Sequence, residues 1–198
     1  LSKVLTAAHC LFGLPATSLR VGLGWHNITQ EMSGHEQTFN VAQVFIHDQY
    51  RPYTPGFPND IAIVTFENNA TLNEYVDVAV LPTEEIAGQG ESCTVSGWGR
   101  TSGLGISAHV LSQVNIISIP NEECAMRYNG VTGARVYSSH ICVYEPPKSA
   151  CSGDSGGPVV CNGYLTGVSS WGSSACDGSY PSVYVKTSSF LDWIKQHL

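Results

Sequence analysis

The chain has 198 residues, of which 42% are apolar and 13% are charged, and this composition suffices for a substantial hydrophobic core. Its formal net charge is −7 with only nine lysines and arginines, so we do not expect a nucleic-acid partner. The sequence contains no run of about 18 consecutive apolar residues, so we expect no segment that spans a membrane.

The first part of the chain predicts short strands separated by turns. Residues 25–38 are polar and residues 50–58 contain three prolines, so we predict a loop for each of these two segments. An acidic linker over residues 83–90 predicts a boundary between one domain at 1–82 and another at 83–198. In the first domain we predict strands at residues 4–8, 19–24, 39–47, 61–66 and 75–80.

The second part also predicts short strands separated by turns, and it predicts two short helices in addition. We predict a short helix at residues 121–128 with Asn121 as its N-cap. A final helix is predicted to be capped by Ser188 or Ser189 and to carry Phe190, Leu191 and Ile194 on one face. The predicted strands are residues 92–99, 111–119, 140–144, 159–161, 164–171 and 182–186. Strands at such short spacing indicate a barrel or a sandwich.

The number of cysteines indicates the cellular compartment in which the protein folds. There are seven of them, which is more than an ordinary cytosolic domain carries, and no two form a Cys-x-x-Cys pair. We interpret them as disulfides of a secreted protein. Sequons at Asn27 and Asn69 agree with secretion and glycosylation, although such tripeptides also occur by chance. Because seven is odd, one cysteine lacks a partner in this sequence.

One loop carries the strongest sign of chemistry, the segment Cys151-Ser-Gly-Asp-Ser155-Gly-Gly-Pro158. Glycine allows a positive φ or a close approach of the backbone to a ligand, and proline fixes the direction of the exit. Such a loop can present the Ser155 hydroxyl beside free backbone N–H groups, as acyl transfer requires. The alternative is an ordinary Gly/Pro turn between two strands.

Two further motifs precede this loop: Thr6-Ala-Ala-His9-Cys10 and Asn59-Asp60-Ile-Ala. In this order the three motifs resemble those of the chymotrypsin-like (trypsin-like) serine protease family, and the resemblance extends to Phe190-Leu-Asp-Trp-Ile194. It implies an all-β fold of two six-stranded antiparallel barrels with a C-terminal helix. It also implies that the first strands of the N-terminal barrel are missing from this sequence, so that the chain is truncated.

The resemblance assigns a role to each residue of the motifs. Ser155 attacks the scissile carbonyl, His9 takes its proton as general base, and Asp60 orients the imidazole. The backbone N–H groups of Gly153 and Ser155 form the oxyanion hole. Asp154 pairs with the amine freed by activation of the zymogen, so residues 1–198 alone are expected to be inactive or poorly folded. For His9, the alternative is a packed histidine beside a disulfide.

The resemblance also locates the substrate groove. Ser149 lies at the base of the primary pocket, where trypsin-like members have aspartate, and Gly172 and Ser182 form its walls. A strong preference for Arg or Lys is therefore not expected, and Ser182 makes the pocket shallower than one with glycine. We expect cleavage after Leu, Met, Phe or Tyr, with an elastase-like preference for small aliphatic residues as the alternative. Ser170 and Gly172, with Trp171 between them, pair with the substrate backbone as an added strand.

Pairing in the family implies three disulfides and leaves Cys10 over, a choice that spacing alone could not make. In some members a loop equivalent to residues 25–38 binds calcium through paired acidic residues. Here only Glu36 matches that pattern, so we expect no metal, and we expect no other cofactor. The implied disulfides are Cys93–Cys161, Cys124–Cys142 and Cys151–Cys176.

These observations together predict a secreted serine endopeptidase. We expect a monomer whose partners are protein and peptide substrates and the protein inhibitors of such enzymes. The main alternative is a non-catalytic homologue that acts as a binding module, although this chain keeps all three residues of the triad. The serine loop also fits the Gly-x-Ser-x-Gly motif of α/β-hydrolases. That fold is disfavoured, because in it the motif leads into a helix and precedes the acid and the base in the sequence.

Overall fold

The described residues, 1–30, 34–85 and 89–198 of a computed structural model, contain two antiparallel sheets. The strands of the first sheet are β1 (Lys3–Thr6), β2 (Arg20–Leu23), β3 (Gln37–Ile46) and β4 (Ala62–Phe66). Their spatial order is β1-β4-β3-β2, and within the described residues this sheet does not close. A bulge between Val41 and Gln43 of β3 curls the sheet. This curled sheet lies in the part of the chain for which the N-terminal barrel is predicted.

The second sheet is a closed barrel of six antiparallel strands, as predicted. The strands are β5 (Ser92–Gly97), β6 (Ser112–Ile119), β7 (His140–Val143), β8 (Pro158–Cys161), β9 (Tyr164–Trp171) and β10 (Ser182–Lys186). Their spatial order is β10-β7-β6-β5-β8-β9. Closure leaves no unpaired edge. Alternate side chains, such as those of Cys93 and Val95, point into a core that includes Ile116, Val159 and Tyr184.

The last helix joins the two sheets. A 3-10 turn at Thr187–Phe190 leads into the C-terminal helix, α2 (Leu191–Gln196). Phe190 and Ile194 are buried in one apolar cluster with Ile61 and Ile63, at the start of β4, and with Val185 of β10. Burial of such side chains typically contributes about 1.5–3 kcal/mol each, so this cluster anchors the helix on both sheets.

The predicted helix caps are wrong. The first α-helix, α1 (Asn121–Arg127), follows Pro120 and has no capping bond from a side chain. Asn121 instead donates from Nδ2 to the carbonyl groups of Tyr137 and His140, at 2.9 Å each. At the other end of the chain α2 follows Phe190, again with no capping bond from a side chain, because the preceding 3-10 turn contains both predicted caps.

The strand predicted at residues 75–80 is also wrong. Alternating valines are typical of a half-buried strand, but here only Val76 is buried, whereas Val78 and Val80 are 52% and 55% exposed. The segment makes an isolated bridge between Asn73 and Val76, and the carbonyl of Val80 accepts a bond from Leu165. A sequence pattern cannot supply the neighbouring strand that a sheet requires.

Three disulfides are present, and they join the pairs that the family resemblance implied. Cys93–Cys161 crosslinks the neighbouring strands β5 and β8, and Cys124–Cys142 ties α1 to β7. Cys151–Cys176 joins the loops that precede β8 and β10. Each crosslink typically contributes about 2–4 kcal/mol to stability. Cys10 is the free cysteine among the described residues and is half-buried.

The linker and the loop at residues 25–38 lie partly outside the described residues. Residues 86–88 belong to the linker, so the domain boundary between residues 82 and 83 stays a prediction. Residues 31–33 belong to the loop at 25–38. Within the described part of the chain, no three His, Cys, Asp or Glu side chains are grouped to hold a metal ion. None of the described helices is long and apolar enough to cross a membrane.

Candidate active site

His9 and Asp60 are brought together by the first sheet. β1 and β4 pair antiparallel with Thr6 opposite Ala62, so the residues that follow β1 lie beside those that precede β4. His9 lies in a 3-10 turn (Ala8–Cys10) directly after β1. Its backbone N–H donates to Asp60 Oδ1 at 2.8 Å, and its Nδ1 lies 2.7 Å from Asp60 Oδ2.

The Asp60 carboxylate is fully buried and accepts a third hydrogen bond. The hydroxyl of Ser170, on β9 of the barrel, donates to Oδ2 at 2.6 Å. A buried charge is tolerated only where it is paired or well hydrogen-bonded, and three donors meet that condition here. The sequence did not predict this contact, because it assigned Ser170 to the substrate backbone and 110 residues separate the two positions.

The carboxylate alters the basicity of His9. The hydrogen bond from Nδ1 to Asp60 raises the pKa of His9 above its ordinary value, and the neighbouring Cys10 thiol adds to this rise while burial opposes it. The His9 side chain keeps 27% of its surface exposed. With Nδ1 turned to Asp60, Nε2 is the nitrogen that can accept a proton from another group.

The serine loop, residues 151–158, is held by the side chain of Asp154. Its carboxylate accepts hydrogen bonds from the backbone N–H groups of Gly99, at 2.8 Å, and Cys151, at 2.9 Å. A Cβ atom on Gly99 would lie 2.4 Å from the Asp154 carboxylate, so only glycine leaves room for this contact. The Asp154 carboxylate therefore ties the loop to Gly99, which follows β5, while Ser152, Gly153 and Ser155 are exposed.

Ser155 is exposed on this loop, next to the segment that carries His9. Gly156 has φ +77°, and a Cβ atom there would lie 2.3 Å from Thr6 Oγ1 and 3.4 Å from Cys10 Sγ. Cys10 Sγ in turn lies 3.6 Å from His9 Nε2. Within the described residues the Ser155 hydroxyl has no hydrogen-bond partner, so it is not bonded to His9. Bonds between a nucleophile and its base are often long without substrate and tighten when substrate binds.

Two backbone donors on the loop are free. The N–H groups of Gly153 and Ser155 donate to no acceptor among residues 1–30, 34–85 and 89–198. Gly153 has φ +103°, which a residue with a Cβ atom rarely adopts, and both residues are exposed. Unpaired N–H donors beside a serine hydroxyl can stabilise the negative charge that develops on a carbonyl oxygen during acyl transfer.

The predicted pocket residues also lie together. Ser149 Oγ donates to the carbonyl of Ala150 at 2.7 Å and lies 3.3 Å from Ser182 Oγ. The N–H of Ala150 donates to Ser182 Oγ at 3.0 Å, and Ser182 is buried. Gly172 lies beside Ser182, because a Cβ atom there would be 3.7 Å from the Cα of Ser182. These contacts bring Ser149, Ser182 and Gly172 close together.

The chain is similar to proteins of known class over almost its whole length. The family model described as Trypsin matches residues 2–194. A chymotrypsin-like serine proteinase of Haliotis rufescens is 40% identical over 98% of this chain and 76% of that protein. Trypsin I-P1 of Gallus gallus is 38% identical over 97% of this chain and 74% of that protein. The solved structure of neuropsin, a serine protease expressed in the limbic system of mouse brain, superposes with a TM-score of 0.87 and 32% identity, over 99% of this chain and 84% of that one.

Proposed function

The chain belongs to the trypsin family and is a serine-type endopeptidase, and we propose that Ser155, His9 and Asp60 form its catalytic triad. The observation that carries this proposal is the 2.7 Å contact between His9 Nδ1 and the buried Asp60 carboxylate. It directs the second imidazole nitrogen, Nε2, away from Asp60, beside the loop that carries Ser155.

The proposed mechanism uses only groups of this chain and water. Ser155 Oγ attacks the scissile carbonyl while its proton passes to His9 Nε2, and the carbonyl oxygen gains the negative charge. The N–H groups of Gly153 and Ser155 stabilise that oxyanion, where the loss of one donor typically costs about 3 kcal/mol. His9 then protonates the leaving amine. Water, activated by the same base, hydrolyses the acyl-enzyme and releases the carboxylic acid.

The pocket supports cleavage after Phe, Tyr, Leu or Met. The Ser149 proton is directed to Ala150, so Ser182 donates to Ser149, and both hydroxyl hydrogens are engaged. The base of the pocket therefore offers oxygen acceptors without the full negative charge that a Lys or Arg side chain requires. Elastase-like selection of small residues is the alternative, because the hydroxymethyl group of Ser182 occupies part of the wall.

Secretion is proposed on the evidence of the disulfides, which form and persist in oxidising compartments. We also propose that the protein is glycosylated, and the exposed side chain of Asn69 in the second sequon supports this. Synthesis as a zymogen, a monomeric state and regulation by protein inhibitors complete the proposal. The part-buried contacts of Asp154 support synthesis as a zymogen, since one carboxylate holds the serine loop through two backbone N–H groups.

Covalent labelling tests the assignment of the nucleophile. The activated full-length protein is treated with a fluorophosphonate, and the labelled residue is located by mass spectrometry. We expect label on Ser155 and none in the Ser155→Ala variant. The matched control is Ser152→Ala, an exposed serine of the same loop, which should label like the wild type. Absence of label after verified activation, or label at another serine, would favour the non-catalytic binding module.

A change at the pocket wall tests the proposed preference. Ser182→Gly removes a hydroxymethyl group from the wall, so kcat/KM for peptides with Phe or Tyr before the cut is expected to rise about ten-fold relative to peptides with Ala. The measurement is a panel of peptides that differ only in this residue, and exposed Ser174→Gly is the control. A wild-type preference for Ala or Val would establish the elastase-like alternative, and a preference for Lys or Arg would contradict both.

A further inference from the structure

Two surface loops are joined beside the proposed cleft: the proline loop, residues 50–58, and the arginine loop, residues 129–137. The N–H of Gly56 donates to the carbonyl of Gly133 at 3.0 Å, and the Tyr137 hydroxyl donates to the carbonyl of Pro55 at 3.0 Å. The backbones touch directly, because a Cβ atom on Gly56 would lie 1.9 Å from the carbonyl oxygen of Arg135. The loops therefore form one fixed platform.

Ring contacts connect this platform to His9 on one side and to Trp171 on the other, the residues that flank the proposed substrate groove. On one side the ring of Phe57, next to Gly56, lies 6.3 Å from the ring of His9. On the other side, Tyr137 packs edge-on against His140 at 5.4 Å, and His140 packs edge-on against Trp171 at 6.1 Å. Trp171 is part of the strand that we propose for the substrate backbone. When a substrate pairs with that strand, its residues before the scissile bond lie along the platform.

The platform carries a positive charge with no acidic partner. The Arg135 side chain is exposed, and its guanidinium carbon lies 5.0 Å from the centre of the Tyr137 ring. In the described part of the chain, Arg127, Lys148 and Lys186 each pair with a glutamate, whereas Arg135 makes no ion pair. Stacking on an aromatic ring orders the guanidinium, and its planar donors match a carboxylate. Several cations of the described residues make no ion pair, and among them Arg135 is the one that stacks on an aromatic ring.

We propose that Arg135 is a specificity residue that binds an acidic side chain of the substrate, three or four residues before the scissile bond. This inference rests on the proposed function. An extended peptide advances about 3.3 Å per residue, so three or four residues carry it about 10–13 Å from the cut. The platform connects the two places, since Phe57 contacts the His9 ring and the neighbouring Gly56 contacts the backbone of Arg135. Because the pair is exposed to solvent, the expected selectivity is about three- to ten-fold and falls with salt.

Peptide pairs test this assignment. The peptides share one sequence and carry Glu, Gln or Lys at the third or the fourth residue before the cut. We expect kcat/KM for Glu over Gln to be about five-fold at low salt at one of the two positions, and near unity in Arg135→Gln. Arg135→Glu should instead favour Lys. Arg20→Gln is the matched control, since Arg20 is an exposed arginine on β2 whose guanidinium donates to the nearby carbonyl groups of Thr17 and Leu19.

A binding measurement separates this inference from the proposed function. The same labelled peptides are titrated into Ser155→Ala, with and without Arg135→Gln, and followed by fluorescence anisotropy. Tighter binding of the Glu peptide only when Arg135 is present supports the assignment. Equal binding or equal cleavage of Glu and Gln peptides overturns it and leaves the protease function intact. If no peptide is bound or cleaved by the activated protein, the proposed function fails and the assignment fails with it.

Discussion

Replacing Asp60 by asparagine is expected to lower kcat by about four orders of magnitude, the size of effect known for this change in Ser-His-Asp proteases. The side chain keeps its shape, but one carboxylate oxygen becomes an NH₂ group that cannot accept from His9. The ring then turns its acceptor nitrogen, Nδ1, towards position 60 and carries its proton on Nε2. In that tautomer it cannot receive the proton of Ser155.

The measurement is kcat for the best peptide of the panel, with circular dichroism to verify that the variant is folded. Ser170→Ala is the matched control, because it removes one donor to Asp60 and keeps the carboxylate. We expect its loss to be far smaller. Retention of more than a tenth of wild-type kcat by Asp60→Asn would contradict the triad.

The same variant has a pH signature. Asp60 raises the pKa of His9, and only the neutral imidazole can act as a base, so wild-type activity is lost as the pH falls through that pKa. Without the carboxylate the pKa of His9 drops. The residual activity of Asp60→Asn should therefore persist to lower pH than that of the wild type.

The second large effect concerns stability rather than rate. His140 is 1% exposed; its Nδ1 accepts the N–H of Tyr137 at 3.2 Å, and its Nε2 has no partner among the described residues. Burial lowers the pKa of His140 from 6.5 to about 4. Below pH 6.5 the unfolded chain binds a proton at this histidine, whereas the folded chain binds that proton only below about pH 4. Stability should therefore fall by about 3 kcal/mol over this range, at about 1.4 kcal/mol per pKa unit.

Urea unfolding at pH 7 and pH 4.5, with the disulfides intact, measures this loss. His140→Asn keeps an acceptor for the N–H of Tyr137 but does not titrate, so its stability should depend less on pH than that of the wild type. Carboxylates also titrate in this range, and they cancel in the difference between the two proteins. His26→Asn, at an exposed histidine, is the control. Equal pH dependence in His140→Asn and wild type would show that His140 is readily protonated in the folded state.

Much of the fold was predictable because it depends on local patterns. Strands β9 and β10 begin and end at the predicted residues, since runs of apolar and β-branched residues between turns determine them. Residues 75–80 show the limit, because their valines have the period of a strand but no neighbouring strand. Asn121 shows another limit, since its side-chain amide can form hydrogen bonds either within its own helix or to the carbonyl groups of a distant loop, and the sequence does not distinguish the two.

The same distinction applies to the site. The motifs around His9, Asp60 and Ser155 are short and contiguous, so their resemblance to a family could be read from the sequence. The bond from Ser170 to Asp60 and the contact between Gly56 and Arg135 could not, because each joins residues that only the closed fold brings together. Such contacts depend on backbone positions that no local pattern encodes.

The clustering of α2 with the start of β4 has a consequence for biosynthesis. Ile61 directly follows Asp60 and is buried against Phe190 and Ile194, near the end of the sequence. A nascent chain lacks these two side chains until residues 190 and 194 have been added, so Ile61 has no packing partner there beside the position where the carboxylate is held. We therefore expect the carboxylate of the proposed triad to be fixed only after α2 has been translated.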